Sequence, residues 1–214
     1  MRYLSAIATL LLLVGTATAG ATDRRTIAEK LSVDPGQRVR IEIPVAELEI
    51  VATDGQEVTV ELRVRCRWEI SECSEVIKRL ELESRSSARR RTIELIGHSS
   101  WKSSILQVEG VIEVPRSSPL EVKMGVADLE ITGVERDLRL DLGVGKVRAR
   151  LPKDTFGEAF IDVGIGQVRV LGSDGQPDER RSFLVGTDVH WEDGPGKAEL
   201  DIEVGVGEVT VRLD

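Results

Sequence analysis

Two histidines, two cysteines and a spaced series of carboxylates carry most of the chemical potential of this 214-residue sequence. His98 and His190 stand outside any H-x-H or H-E-x-x-H spacing, the patterns in which neighbouring imidazoles share a zinc ion, so no metal or cofactor site is expected. Cys66 and Cys73 form a C-x6-C pair with no histidine nearby, which is poor metal chemistry; in an oxidising compartment such a pair closes a disulfide, the alternative being two buried free thiols. Asp141, Asp162 and Glu203 recur at equivalent places in repeated segments, so stacking would align their carboxylates. Aligned carboxylates can hydrolyse glycosides or hold calcium. Lys123 takes that place in the first copy and the G-G-x-G-x-D calcium repeat is absent, so the ladder reads as a solvated charged face, with weak cation binding left open. Arg148 and Arg169 form a matching basic series. His190, Trp191 and Glu192, in a Gly/Pro-rich stretch, are the one polar-aromatic cluster with the character of an interaction loop. No G-x-S-x-G or comparable nucleophile setting occurs, and no catalytic residue is assigned.

The elements that hold these residues follow from periodicity. Val39, Ile41, Ile43 and Val45, then Leu48 and Ile50, then Val58, Val60, Leu62 and Val64 alternate with charged residues, the signature of strands with one wet face. Residues 71–80 form the single helix: Ser71 is an N-cap, and Cys73, Val76, Ile77 and Leu80 fall on one stripe. Two more short strands follow, separated by a serine- and arginine-rich hairpin end over residues 86–91.

The second half repeats. Lys123-Met124-Gly125-Val126-Ala127-Asp128-Leu129 returns as Asp141-Leu142-Gly143-Val144-Gly145-Lys146-Val147, as Asp162-Val163-Gly164-Ile165-Gly166-Gln167-Val168 and as Glu203-Val204-Gly205-Val206-Gly207-Glu208-Val209, with a degenerate copy around Gly186. The first glycines are spaced by 18, 21, 22 and 19 residues. In the second copy Leu140, Leu142 and Val144 are read as one face and Val147, Ala149 and Leu151 as its continuation, out of phase, which requires a corner or bulge where Gly143 and Gly145 stand. Gly125, Gly143, Gly145, Gly164, Gly166, Gly205 and Gly207 are therefore read as structural. The G-x-G spacing is not that of a phosphate loop, and no helix follows it. Repeats of about 20 residues match one coil of a β-solenoid, in which each coil buries its face on the next.

Arg2, the apolar run Leu4 to Val14 and Ala17-Thr18-Ala19 compose an export signal over residues 1–19. The run is too short to cross a bilayer, so no integral membrane segment is expected after cleavage. The net charge of −8 excludes a phosphate-backbone partner. With 3% aromatic residues, Trp68, Trp101 and Trp191 are a thin supply for stacking sugars. The expected layout is residues 20–30 as an N-terminal extension, 31–114 as a β region holding the helix and 115–214 as the repeat solenoid.

Val33-Asp34-Pro35-Gly36, the helix ending Val76-Ile77-Lys78-Arg79-Leu80-Glu81-Leu82, the segment Val108-Glu109-Gly110-Val111-Ile112-Glu113-Val114-Pro115 and the G-V-G-x-V repeats together resemble the bacterial "putative adhesin" domains of unknown function, a toastrack-like group of exported or membrane-tethered β-solenoid repeats, over residues 31–214. The resemblance implies an all-β fold with one short helix and a single-stranded solenoid-like stack behind an N-terminal strand-helix cap. It implies a non-catalytic, periplasmic or extracellular interaction module whose partner is an envelope protein or polysaccharide. A soluble envelope-stress accessory docking on a membrane partner is the alternative, and a β-helix enzyme acting on polysaccharides a more distant one. The resemblance carries over no catalytic residues.

Overall fold

The computed structural model describes residues 24–67, 71–97, 105–172, 178–182, 186–192 and 194–214. The expected export signal, Trp68, His98 and Trp101 lie outside them.

Alternation becomes strand geometry directly. In β4 (Glu57–Cys66) Val58, Val60, Leu62 and Val64 are buried while Glu57, Glu61, Arg63 and Arg65 face solvent. β4 pairs antiparallel with β1 (Arg24–Ser32), so the segment read as an extension contributes a strand from Arg24 onward. β2 (Arg38–Glu42) and β3 (Val45–Thr53) are two pieces of one path interrupted at Pro44.

The helix α1 (Ser71–Arg79) buries Cys73, Val76 and Ile77. A Cys66–Cys73 disulfide, with Cα atoms 5.9 Å apart, ties it to the end of β4. Lys78 pairs with Glu75 one turn earlier and holds its carboxyl below the usual range through a hydrogen bond and charge. A helix C-terminus leaves carbonyls without intrahelical partners. Here Arg25 of β1 donates from Nη1 to the carbonyls of Ile77 (3.1 Å), Lys78 (3.1 Å) and Leu80 (2.8 Å). Replacing Arg25 with Met keeps most of the stem and removes the donor; the expected loss is about 1.5 kcal/mol, read as a lower urea midpoint at unchanged m-value. An unchanged midpoint would show that water serves these carbonyls equally well.

After the hairpin β5 (Glu81–Ser86) and β6 (Arg90–Ile96) comes β7 (Leu106–Pro115). The repeats then form β8 (Leu120–Thr132), β9 (Leu138–Leu151), β10 (Phe156–Leu171), β11 (Asp178–Ser182), β12 (Gly186–Trp191) and β13 (Ala198–Leu213). In β9, Leu138, Leu140 and Leu142 point inward, residues 143–146 do not, and Val147, Ala149 and Leu151 point inward again. The phase slip is present, but Val144 is 46% exposed and belongs to the outside of the corner, not to the inner face. Val126, Val206 and Ile165 stand in register with it and are likewise exposed.

The corner divides each long strand into two halves with different neighbours. The first half of β8 pairs with β2 and its second half with β3, both parallel, so the gap at Pro44 corresponds to the glycine corner of β8. The Pro44 carbonyl accepts from both Gly125 and Val126 at 2.9 Å. The inner faces of both halves enclose one apolar core, running from Ile27 to Leu213 and including Ile41, Ile50, Leu62, Ile112, Leu129 and Ile202.

Among the described residues the fold is thus mostly β with one helix, and its sheet does not close on itself. The copies do not lie in chain order. The sequence of neighbours is β1-β4-β7-β3-β8-β9-β13-β10-β12-β11, which places the C-terminal strand between the second and third copies. A coil-by-coil stack would have set β10 beside β9. The strands meet closely at the corner. A Cβ on Gly207 would lie 1.8 Å from the Gly145 carbonyl oxygen, and one on Gly166 would lie 1.7 Å from that of Gly207. The approach at β8 is equally close, although that copy lacks the second glycine: a Cβ on Gly145 would lie 1.8 Å from the Ala127 carbonyl oxygen. The degenerate copy has Thr187-Asp188 after Gly186 and instead runs antiparallel along the first half of β10.

Candidate functional site

The register turns spaced charges into rows. Lys123, Asp141, Glu203, Asp162 and Asp188 occupy one outward row across β8, β9, β13, β10 and β12. Lys123 pairs with Asp141 at 3.6 Å. Glu203 sits between the two aspartates because β13 separates their strands, and Asp188 extends the acidic run. Among the described residues no group of three or more His, Cys, Asp or Glu side chains is arranged to hold a metal ion. Arg148 and Arg169, read as neighbours in a basic series, are separated by Thr210 of β13; Arg148 instead pairs with Asp128 across β8 at 2.7 Å.

His190, Trp191 and Glu192 stand at the end of β12 and one residue beyond it. His190 Nδ1 faces the Ala159 carbonyl at 3.1 Å and Nε2 faces the Glu192 carboxylate at 3.1 Å, so both ring nitrogens are engaged. Trp191 is partly buried and packs on the core, leaving the outward surface to His190 and Glu192. The exposed aromatic here is Phe160 of β10, edge-on to His190 with ring centroids 6.4 Å apart. Alternation alone locates it: Ala159 and Ile161 are inside, so Phe160 is outside.

Another concave acidic surface lies on the other half of the strands. It is an open basin of about 390 Å³ on the outer face of β4, β7, β3, β8 and β9. Glu47, Glu49, Glu61, Glu109, Asp128 and Glu130 line it, with Arg63 and Arg148 as the cations. Most of this charge is compensated locally: Arg63 meets Glu61 and Arg65 meets Glu109, both at 2.8 Å, and Arg150 meets Glu130 at 3.4 Å. Glu47 and Glu49 of the middle strand have no ion-pair partner among the described residues. Beside Glu49 in register stands Val111, 42% exposed. Two uncompensated carboxylates next to an aliphatic floor suit a positively charged group on an apolar stem. Sequence reading missed this basin because its walls come from five strands that are adjacent only after folding.

No protein-family model matches the chain, and no curated protein does. Among solved structures, it is similar to a "putative cell adhesion protein" of Clostridium sporogenes over 89% of this chain and all of that one, at 14% identity and a TM-score of 0.49. It is also similar to a "putative adhesin" of Parabacteroides merdae, over 60% of this chain and 67% of that one, at 11% identity and a TM-score of 0.23. A third, from Parabacteroides distasonis, has 12% identity and a TM-score of 0.22 over 60% and 62% of the two chains.

Proposed function

We propose that the protein is an exported, non-catalytic interaction module of adhesin-like type. It offers the outer face of its sheet to a positively charged envelope protein or polysaccharide. The observation that carries this reading is the basin around Glu47, Glu49 and Val111, built on the middle of a rigid sheet where side chains are preorganised by their neighbours. The export signal and the disulfide support a periplasmic or extracellular setting. The likeness of the G-V-G-x-V repeats to adhesin-type domains supports the class and, with it, a toastrack-like relative of the β-solenoid.

The test is reversal of the free charge. A Glu47→Lys, Glu49→Lys double variant leaves the core untouched and should fold as the wild type does by circular dichroism. Its retention on immobilised envelope extract should fall by about tenfold or more, and wild-type retention should weaken with added salt. Equal capture of the same material by both proteins would overturn the proposal.

A further inference from the structure

Phe160 breaks the chemistry of its row. The outward positions in register with it are Arg40, Glu121, Arg139, Asp201 and His190, all polar, yet this one is an aromatic ring 44% exposed. Its neighbours on either side are immobilised. Arg139 pairs with Asp201 at 3.4 Å, and His190 is held through both nitrogens. The ring therefore stands between fixed polar neighbours, edge-on to His190, and stays 44% exposed.

Two residues along the strands toward the corner, Asp162, Glu203 and Asp188 face the same way and have no cationic partner among the described residues. Two residues in the other direction, Glu158 and Glu199, with Asp137 and one cation, Lys197, line an open depression of about 460 Å³. Its floor is backbone. A Cβ on Gly194 would lie 2.3 Å from the Phe156 carbonyl oxygen and one on Gly196 only 1.8 Å from that of Thr155, so backbone packed against these positions confines them to glycine. The surface thus offers a stacking face, free carboxylates on both flanks and a shallow trough continuing past the ring. Strands here are about 4.8 Å apart, comparable to one pyranose ring.

We propose that Phe160 is the stacking platform of a binding site for an amine-bearing polysaccharide. One sugar lies on the ring through its C–H face, and its ammonium groups are met by the carboxylates that flank the ring. A continuous chain is favoured over a basic peptide because the site is a shallow trough centred on one ring, without an apolar pocket to seat a side-chain anchor. The site shares no residue with the basin, so its success or failure is independent of the function proposed above.

The test uses the full-length protein and three probes: a β-1,4-linked glucosamine oligosaccharide, its fully N-acetylated counterpart and polylysine. The glucosamine oligomer is expected to bind best. Phe160→Ala should weaken it roughly five- to tenfold, Phe160→Trp should restore it, and Asp162→Asn with Glu203→Gln should reduce both affinity and its salt dependence. Thermal melts of the same variants separate loss of binding from loss of fold, and the Trp variant remains informative should Ala destabilise the strand. The Glu47→Lys, Glu49→Lys protein should bind the oligomer as the wild type does. Equal binding by Phe160→Ala, tighter binding of polylysine than of the sugar, or no preference for the free amine over the N-acetyl form would each overturn the proposal.

Discussion

Valine in place of Gly207 should leave the protein unable to reach its native state. Gly207 sits at a φ of +159°, and a Cβ there would lie 1.8 Å from the Gly145 carbonyl oxygen and 2.9 Å from its carbon. The obstacle is backbone, so no rotamer change relieves it. β13 is also held on both sides, by β9 and β10, so a shift to accommodate the methyl group would break two ladders. A cost above about 5 kcal/mol is comparable with the whole stability of a domain. Soluble yield and the urea transition report the outcome. Gly55→Ala is the matched control: its Cβ meets nothing within 4 Å and its φ is not in the left-handed region, so its midpoint should move by less than about 0.5 kcal/mol. A folded Gly207→Val protein with an unaltered transition would show that the corner does not depend on this approach. The first glycines of the motif are less demanding, since Cβ atoms on Gly143 and Gly164 would stand 2.6 and 2.8 Å from the neighbouring carbonyl oxygens.

Ending the chain after Lys197 should abolish folding of β10 to β12 as well as removing β13. In a stack ordered along the chain, the last copy is an end cap, and its loss leaves the preceding copies nearly intact because each repeat contacts only its neighbours. Here the last strand is internal. Its removal uncovers Leu140, Leu142, Ile161 and Val163, each at most 1% exposed in the native fold, and leaves β10 without its parallel neighbour. Hydrogen exchange followed by mass spectrometry distinguishes the cases. Loss of protection over residues 156–191 together with a collapse of the melting transition is expected; protection retained through β10 would contradict the internal placement of β13.

Much of the architecture was legible locally. The parity of Val58, Val60, Leu62 and Val64 assigned the faces of β4, because alternate residues of a strand must point to opposite sides. The stripe of Cys73, Val76 and Ile77 gave the helix and placed Cys73 toward Cys66, whose disulfide the structure contains. The out-of-phase apolar sets of the repeat announced a corner, but Val144, read as part of the inner face, lies outside it, and placing it there required knowing which residue sits at the apex. Parity applied to Ala159, Phe160 and Ile161 also placed the exposed ring, but nothing local marked it as standing among fixed charges.

The sequence by itself determined most of the strands from β2 onward, the helix, the existence of the corners and the parity of the strand faces, since these depend on spacings of two to four residues and on backbone freedom at glycine. The order of the copies was decided only in the tertiary structure. Near-identical motifs encode near-identical edges, so the local pattern does not distinguish β10 from β13 as the neighbour of β9; in the fold Gly145 lies against Gly207 and Gly207 against Gly166. That order in turn places Glu203 between Asp141 and Asp162 and Asp201 beside Phe160. The basin at Glu47 and Glu49 has the same origin, because a surface shared by five strands is a property of their arrangement and of no single segment.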